Sequence, residues 1–390
     1  MTMAKFFKAF LPSITIIVIL LLTLRQTPPE LPTEKEPDHL RYPWNPNTEF
    51  NSSIRIDRPG LPPAPILPPG YRTETLTRLG TDLDFDLHTC PPGSIMTNVK
   101  SASTPPVHND CPTLFVAGAR KGGSTSMIKY ISKHPDFKGA KLNGPNVGEV
   151  FFFMNKFYKP GSEKQWKWYL SNFPKGVVTG ESSVGYMVHC LVPERIFRAC
   201  GRQAKIVMLL RNPVDRFVSN FLMRVRVTGY GNRITKSTPI TSVIHEEVHS
   251  FLNRTDTATT NTLTEDWSKL HCAFQQSENM IYEGTYYIHV LNWMCNFPAE
   301  NILLINSEEM YKNTSTILKQ VFQFLGLKPM PDRERNEIGK VIYNGGKHDN
   351  VPPHQQLSQS DKQTLQKALE PYNRAFLRLL HWENKKVEWM

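Results

Sequence analysis

The stretch Leu114-Phe-Val-Ala-Gly-Ala-Arg-Lys-Gly-Gly-Ser-Thr-Ser126 decides the fold. Leu114–Ala117 is a short, wholly apolar run, the pattern of a strand buried on both faces. Gly118–Gly123 is a glycine-rich turn, and Ser124–His134 reads as a helix. A strand, glycine turn and helix in that order aim several backbone N–H groups and the positive end of the helix dipole at one point, so an anion is favoured there. Lys121 adds a full charge, Gly122 and Gly123 allow close approach of the backbone, and Ser124 and Thr125 supply hydroxyl donors. A nucleoside-triphosphate loop needs G-x-x-x-x-G-K-[ST]. Gly118 and Gly123 keep that separation, but Ser124 stands where the lysine belongs and the lysine comes earlier, at Lys121. The departure argues against an ordinary ATPase or GTPase.

Outward from this stretch the alternation of strand and helix continues. Lys205–Leu210 is a second apolar strand, closed by Arg211-Asn-Pro213, and proline at the first helical position suits a helix running from Pro213 towards Val227. Ile302–Ile305 is a third strand, followed by helical patterns near 307–325. Glu283–Cys295 and Asp361–Leu380 also read as helices. The expected fold is α/β, a P-loop-like three-layer domain on a mainly parallel central sheet, over 113–390.

The chain has 390 residues, 46 basic and 35 acidic. Residues 1–112 carry 10 basic and 11 acidic side chains, so the whole positive excess belongs to the remainder, with 36 and 24. A basic domain suits an anionic partner. Residues 26–112 hold 17 of the 31 prolines and read as an extended spacer. Before them, 9–25 is apolar, with Lys5 and Lys8 on its N-terminal side, and no small-x-small cleavage pattern follows. That is the pattern of an uncleaved signal anchor with residues 1–8 cytoplasmic and the rest lumenal; a cleaved signal peptide is the competing reading. Sequons at Asn51, Asn253 and Asn313 agree with a lumenal location. Six cysteines without a C-x-x-C leave 15 disulfide connectivities open, a nearest-neighbour pair such as Cys190–Cys200 among them.

With those motifs in hand, the sequence resembles the Golgi carbohydrate sulfotransferases that use 3′-phosphoadenylyl sulfate (PAPS). It is most similar in texture to the heparan sulfate 3-O- and N-sulfotransferases. In that family the Arg120-Lys-Gly-Gly-Ser-Thr125 loop, continuing to Ser126, wraps the 5′-phosphosulfate. The segment Leu210-Arg-Asn-Pro-Val-Asp-Arg-Phe-Val-Ser-Asn220 is the second match, and it implies that Arg211 and Ser219 hold the 3′-phosphate. Arg211 ends a strand and Ser219 lies about two turns into the next helix, so a guanidinium fork and a hydroxyl can converge on one phosphate. Trp168–Pro174, Glu283–Pro298 and Glu370-Pro-Tyr-Asn373 are supporting matches.

The resemblance also implies roles in the chemistry. Lys121 faces the leaving phosphate oxygen. Glu149, in Gly148-Glu-Val-Phe-Phe-Phe153, stands where the family places its catalytic base, and three following phenylalanines imply a desolvated carboxyl with a raised pKa. Phe151, Met154 and Ser182 replace a histidine, an aspartate and a lysine of the 3-O-sulfotransferases. Gly180-Glu-Ser-Ser183 instead resembles the chondroitin N-acetylgalactosamine 4-sulfate 6-O-sulfotransferases, with Glu181 either a second acid/base or a structural acid. Lys347, in Asn344-Gly-Gly-Lys347, is matched to a late loop that closes over the cofactor. Arg224 and Arg226, with Lys156, Lys159, Lys164 and Lys167, are expected along an acceptor groove. His245-Glu-Glu-Val-His249 reads as a solvated helix face, and no metal is required. The expected partners are an anionic polysaccharide and the Golgi membrane through the N-terminal helix, with nucleic acid disfavoured by topology. The oligomeric state is left open by the sequence. Rival readings are a tyrosylprotein sulfotransferase and a membrane-tethered glycan binder that keeps the fold without turnover.

Overall fold

The structure is a computed structural model. It describes residues 90, 94–97, 108–141, 148–155, 158–227, 234–259, 271–272, 279–341, 343 and 350–380. The apolar segment 9–25, the spacer up to residue 89, the sequon at Asn51, and Lys156 and Lys347 lie outside them.

Five strands form one sheet: β1 (Leu114–Gly118), β2 (Phe137–Gly139), β3 (Val178–Glu181), β4 (Lys205–Leu210) and β5 (Ile302–Asn306). Their spatial order is β2-β3-β1-β4-β5 and every neighbouring pair is parallel. Parallel strands need helical crossovers, which cover both faces and make the strands apolar throughout. The side chains divide accordingly. Phe115, Ala117, Ile206, Met208 and Leu210 enter one core; Leu114, Val116, Val207, Leu209 and Ile305 enter the other.

The helices are α1 (Ser124–Ile131), α2 (Glu163–Ser171), α3 (Val192–Cys200), α4 (Pro213–Arg226), α5 (Ile240–Thr259), α6 (Tyr286–Met294), α7 (Ser307–Lys312), α8 (Thr314–Phe324), α9 (Asp332–Gly339) and α10 (Gln359–Leu379). The region near 307–325 is two helices with the break at Asn313. The Glu283–Cys295 pattern begins as a 3-10 turn at Tyr282–Gly284 before α6 starts. Asn212 caps α4, accepting from the N–H groups of Val214 at 2.9 Å and Asp215 at 3.3 Å, and Pro213 follows as N1.

The order places β1 beside β4, with β2 and β3 reached on one side and β5 on the other. That is the point where successive connections leave in opposite directions, and open parallel sheets bind ligands at the carboxyl ends of the strands there. The loops after β1 and β4 carry Lys121 and Arg211.

Three disulfides correct the nearest-neighbour pairing: Cys90–Cys295, Cys111–Cys200 and Cys190–Cys272. Cys190 and Cys200 flank α3, and each is drawn to a different distant segment. Part of the proline-rich stretch is also stitched to the domain. Ile95 is buried, Met96 N–H donates to Cys295 O, His108 stacks on Trp166 with ring centroids 3.9 Å apart, and Trp166 Nε1 donates to Asp110. The packed body therefore begins before Thr113.

Candidate active site

The loop after β1 is held by backbone contacts. Ala119 N–H donates to Leu209 O, Gly122 N–H to Ala119 O, and the Ser307 hydroxyl to Gly122 O. A methyl group at Gly122 would sit 2.5 Å from the Leu209 carbonyl oxygen, so only glycine fits against β4. Gly123, the N-cap of α1, has φ 98°, which favours glycine. The first-turn N–H groups of Ser124, Thr125 and Ser126 have no acceptor inside the helix. The Ser126 side chain is committed elsewhere, donating to Tyr343 O at 2.9 Å.

Four cations converge on this loop. Burial lowers the Lys121 ammonium pKa first, and the neighbouring charges of Arg226, Arg211 and Arg120 lower it further. Arg211 Nη1 donates to Lys121 O at 3.3 Å, linking the two motifs directly. Such a concentration of positive charge is relieved by a polyanion. Arg120 is partly offset by Glu283, 3.4 Å away.

Arg211 and Ser219 both line a cavity of 460 Å³, together with Asp215, Val218 and Leu222 and, from the segment after residue 349, Asn350, Val351 and Gln355–Leu357. The sequence reading missed that segment. Pro352-Pro353 marks a turn, but nothing in its pattern ties it to Arg211, more than a hundred residues away. It also missed Tyr286. The Arg211 N–H donates to its hydroxyl, which in turn donates to Arg211 O at 2.7 Å, pinning the backbone that presents the guanidinium.

Glu149 is largely buried, and desolvation raises its carboxyl pKa to about 7 against the pull of Arg120. Its segment is bracketed by the chain after β3. Ser182 N–H donates to Gly148 O at 2.7 Å, and the Ser183 hydroxyl accepts from Val150 N–H at 2.9 Å and Phe151 N–H at 2.8 Å. That hydroxyl in turn donates to Glu181. Glu181 is fully buried and also accepts from Tyr169 at 2.6 Å and Tyr186 at 3.2 Å. Burial raises its pKa to about 7 as well. With hydroxyls on both oxygens and no exposed surface, Glu181 is tied through the Ser183 hydroxyl to the backbone of the Glu149 segment. The Phe replacing histidine, Phe151, has φ 55°, and Met154 packs on Gly185, where an added methyl would meet its sulfur at 2.7 Å.

Arg224 departs from its expected place in a groove. It is buried, within electrostatic reach of Glu247 and Glu283. Arg216 Nη1 and Asn220 Nδ2 each reach Glu283 at 2.9 Å from the same face of α4. Lys159, Lys164 and Lys167 are exposed. His245 and His249 lie on α5, whose Glu247 is drawn inward by the Met280 N–H at 2.7 Å.

The parallel α/β sheet thus carries a glycine loop and a cluster of cations at its switch point, with the Glu149 carboxyl in electrostatic reach of Arg120, an arrangement suited to an anion. Residues 112–371 match the sulfotransferase domain family, and the chain belongs to it. It is 25% identical over 241 residues to human heparan sulfate glucosamine 3-O-sulfotransferase 3A1, covering 61% of this chain and 48% of that protein. It is 26% identical over 224 residues to the bifunctional heparan sulfate N-deacetylase/N-sulfotransferase 1 of Caenorhabditis elegans, covering 56% of this chain and 22% of that one. The chain thus spans about half or less of the length of these two relatives. A solved sulfotransferase from Alicyclobacillus acidocaldarius is 20% identical with a TM-score of 0.46, covering 70% of this chain and 96% of that one.

Proposed function

We propose that this chain transfers a sulfuryl group from PAPS to a carbohydrate hydroxyl on a glycosaminoglycan, as a single-pass type II protein of the Golgi membrane with its catalytic domain lumenal. The observation that carries the reading is the gathering of Arg120, Lys121 and Arg211 in the loops after β1 and β4, with Arg226 from the end of α4 in electrostatic reach of Lys121 and the Glu149 carboxyl in reach of Arg120. The residues fit a doubly anionic nucleotide. Arg211 and Ser219 would take its 3′-phosphate in the 460 Å³ cavity, and Lys121 with the Gly122–Ser126 backbone would take its 5′ end. When bound, PAPS supplies the sulfuryl group and the leaving phosphate.

Glu149 takes the proton of the acceptor hydroxyl; a carboxyl poised near 7 suits a base at neutral pH. Lys121 stabilises charge on the departing oxygen, the electrostatic role that dominates such transfers. The heparan sulfate activities named for the relatives and the basic charge of the domain support an anionic polysaccharide as acceptor. The apolar 9–25 segment, the sequons and three disulfides support the lumenal placement.

The test is transfer of radioactive sulfate from PAPS by the full chain to heparan, chondroitin, dermatan and a tyrosine peptide. Transfer to one polysaccharide is expected. Transfer to the peptide alone would move the acceptor to protein tyrosine. Acceptor affinity without transfer would leave a glycan binder.

A further inference from the structure

The turn that precedes α6 touches both phosphate-binding motifs. Glu283 lies in the 3-10 turn Tyr282–Gly284 and is buried. Its two carboxylate oxygens face different partners. Oε1 lies 3.4 Å from Arg120 Nη1, in the glycine loop after β1. Oε2 accepts from Arg216 Nη1 and from Asn220 Nδ2 on α4, each at 2.9 Å. Asn220 is the sequence neighbour of Ser219, and Arg216 lies about one turn before it. One carboxylate therefore bridges the two motifs. The same segment reaches Arg211, because the Tyr286 hydroxyl pins the Arg211 backbone. The turn is also seated on α4: a methyl at Gly284 would meet the Pro213 side chain at 3.4 Å and Arg216 Nε at 3.6 Å.

The bridge is a charged one. Burial pushes the Glu283 carboxyl up, but Arg120 in the glycine loop, Arg216 and Arg224 on α4 and His289 on α6 together hold it below its ordinary value. Glu247 on α5 is the like charge within electrostatic reach. Glu283 is not among the residues lining the 460 Å³ cavity, so a ligand there does not have to displace it.

A nucleotide with a phosphate at each end gains from such a bridge. Binding at one end raises the effective concentration of the other phosphate at its own subsite, provided that the spacing of the subsites matches the ligand. A spacing held in advance also spares the cost of ordering the loop on binding. Resting on the sulfotransferase reading, we propose that Glu283 is a positioning residue: by tying Arg120 to α4 it fixes the separation of the two phosphate subsites at that of a 3′,5′-bisphosphate nucleotide. Plain electrostatics has the opposite sign. Removing a carboxylate from a cationic site strengthens the binding of any anion, whereas cutting the bridge weakens the ligand that spans both subsites.

The test titrates the full chain and Glu283→Gln calorimetrically with PAP, and with adenosine 5′-monophosphate and adenosine 3′-monophosphate by displacement of PAP. PAP affinity is expected to fall roughly 10-fold in Glu283→Gln with the loss of the ion pair, while each monophosphate stays within about twofold of wild type. In a chain already carrying Arg120→Gln, the same change is expected to cost PAP less than about twofold, because the bridge is already cut. Glu283→Asp keeps a charge beside buried Arg216 but is one methylene shorter, and it carries the same comparison if the glutamine variant does not fold, as read by circular dichroism. Equal losses for all three nucleotides, unchanged or tighter PAP binding, or a full loss in the Arg120→Gln background would each overturn the proposal. A folded wild-type chain that binds no PAP would defeat the sulfotransferase reading itself, and this assignment with it.

Discussion

Glu149 combines two opposing influences: burial that favours its neutral form and Arg120 that favours its charge. On the proposed function, in which Glu149 is the base, the balance sets the pH limb of the reaction. kcat/KM is expected to rise with pH through about 7, as the carboxyl loses its proton, and to level off above. Glu149→Gln is expected to abolish that limb and to cost about 10²–10⁴-fold in kcat, with PAP affinity retained. A profile of kcat/KM against pH for both proteins checks it; an unchanged limb in the variant would assign the titration elsewhere. Glu149, Lys121 and Arg211 could be singled out from sequence because each sits inside a contiguous motif. Ser183 and Tyr286 were not. They act on Glu149 and Arg211 through contacts made only after folding, and neither stands in a pattern that signals its partner.

At the scale of elements, the loop after β1 and the segment after β3 are the parts that hold the site in shape. Ser183→Ala strands the N–H groups of Val150 and Phe151 and removes a donor to Glu181. A loss of about 1–3 kcal/mol in stability is expected, with kcat falling more than the KM for PAPS changes. Urea unfolding and steady-state kinetics measure the two. Gly122→Ala drives a methyl into Leu209 O, so the loop must shift. PAP binding should be lost while the circular dichroism spectrum is kept. The same scale shows where sequence reading runs out. β1, β4 and β5 carry apolar runs and were read directly. β2 is Phe137-Lys-Gly139 and β3 is Val178-Thr-Gly-Glu181. Each is short and lacks an apolar run, and β3 buries a carboxylate, so nothing marked either as a strand. The glycine in β3 is required by packing: a methyl at Gly180 would sit 2.5 Å from the Leu114 side chain on neighbouring β1.

Over the whole molecule, stability rests partly on long-range covalent closure. Cys90–Cys295 spans 205 residues and ties the proline-rich stretch to the end of α6. Cys90→Ser, or truncation past residue 90, is expected to cost about 2–5 kcal/mol and to lower the yield of folded protein, read by thermal melting of the purified chain.

Burial also lowers the pKa of His289 to about 4 and of His189 to about 3. A lowered histidine is neutral in the folded chain and protonates in the unfolded one. The stability it gives is present above its ordinary value of 6.5 and is lost as pH falls towards the folded value. Glu149 and Glu181 act in the opposite sense, losing their contribution as pH rises through about 7. Replacing His289 by Gln, which preserves a donor to Tyr282 O, should therefore remove up to about 3 kcal/mol of the acid-induced loss between pH 6.5 and 4. Chemical denaturation of both proteins across that range checks the difference.

The central claim is that the cations at the ends of β1 and β4 hold PAPS, and calorimetric titration of the full chain with PAP tests it most directly. The account expects saturable binding at one site, weakened about 10–100-fold in Arg211→Ala by loss of a charged hydrogen-bonding partner. A folded chain that does not bind PAP, or binds it equally well without Arg211, would contradict it.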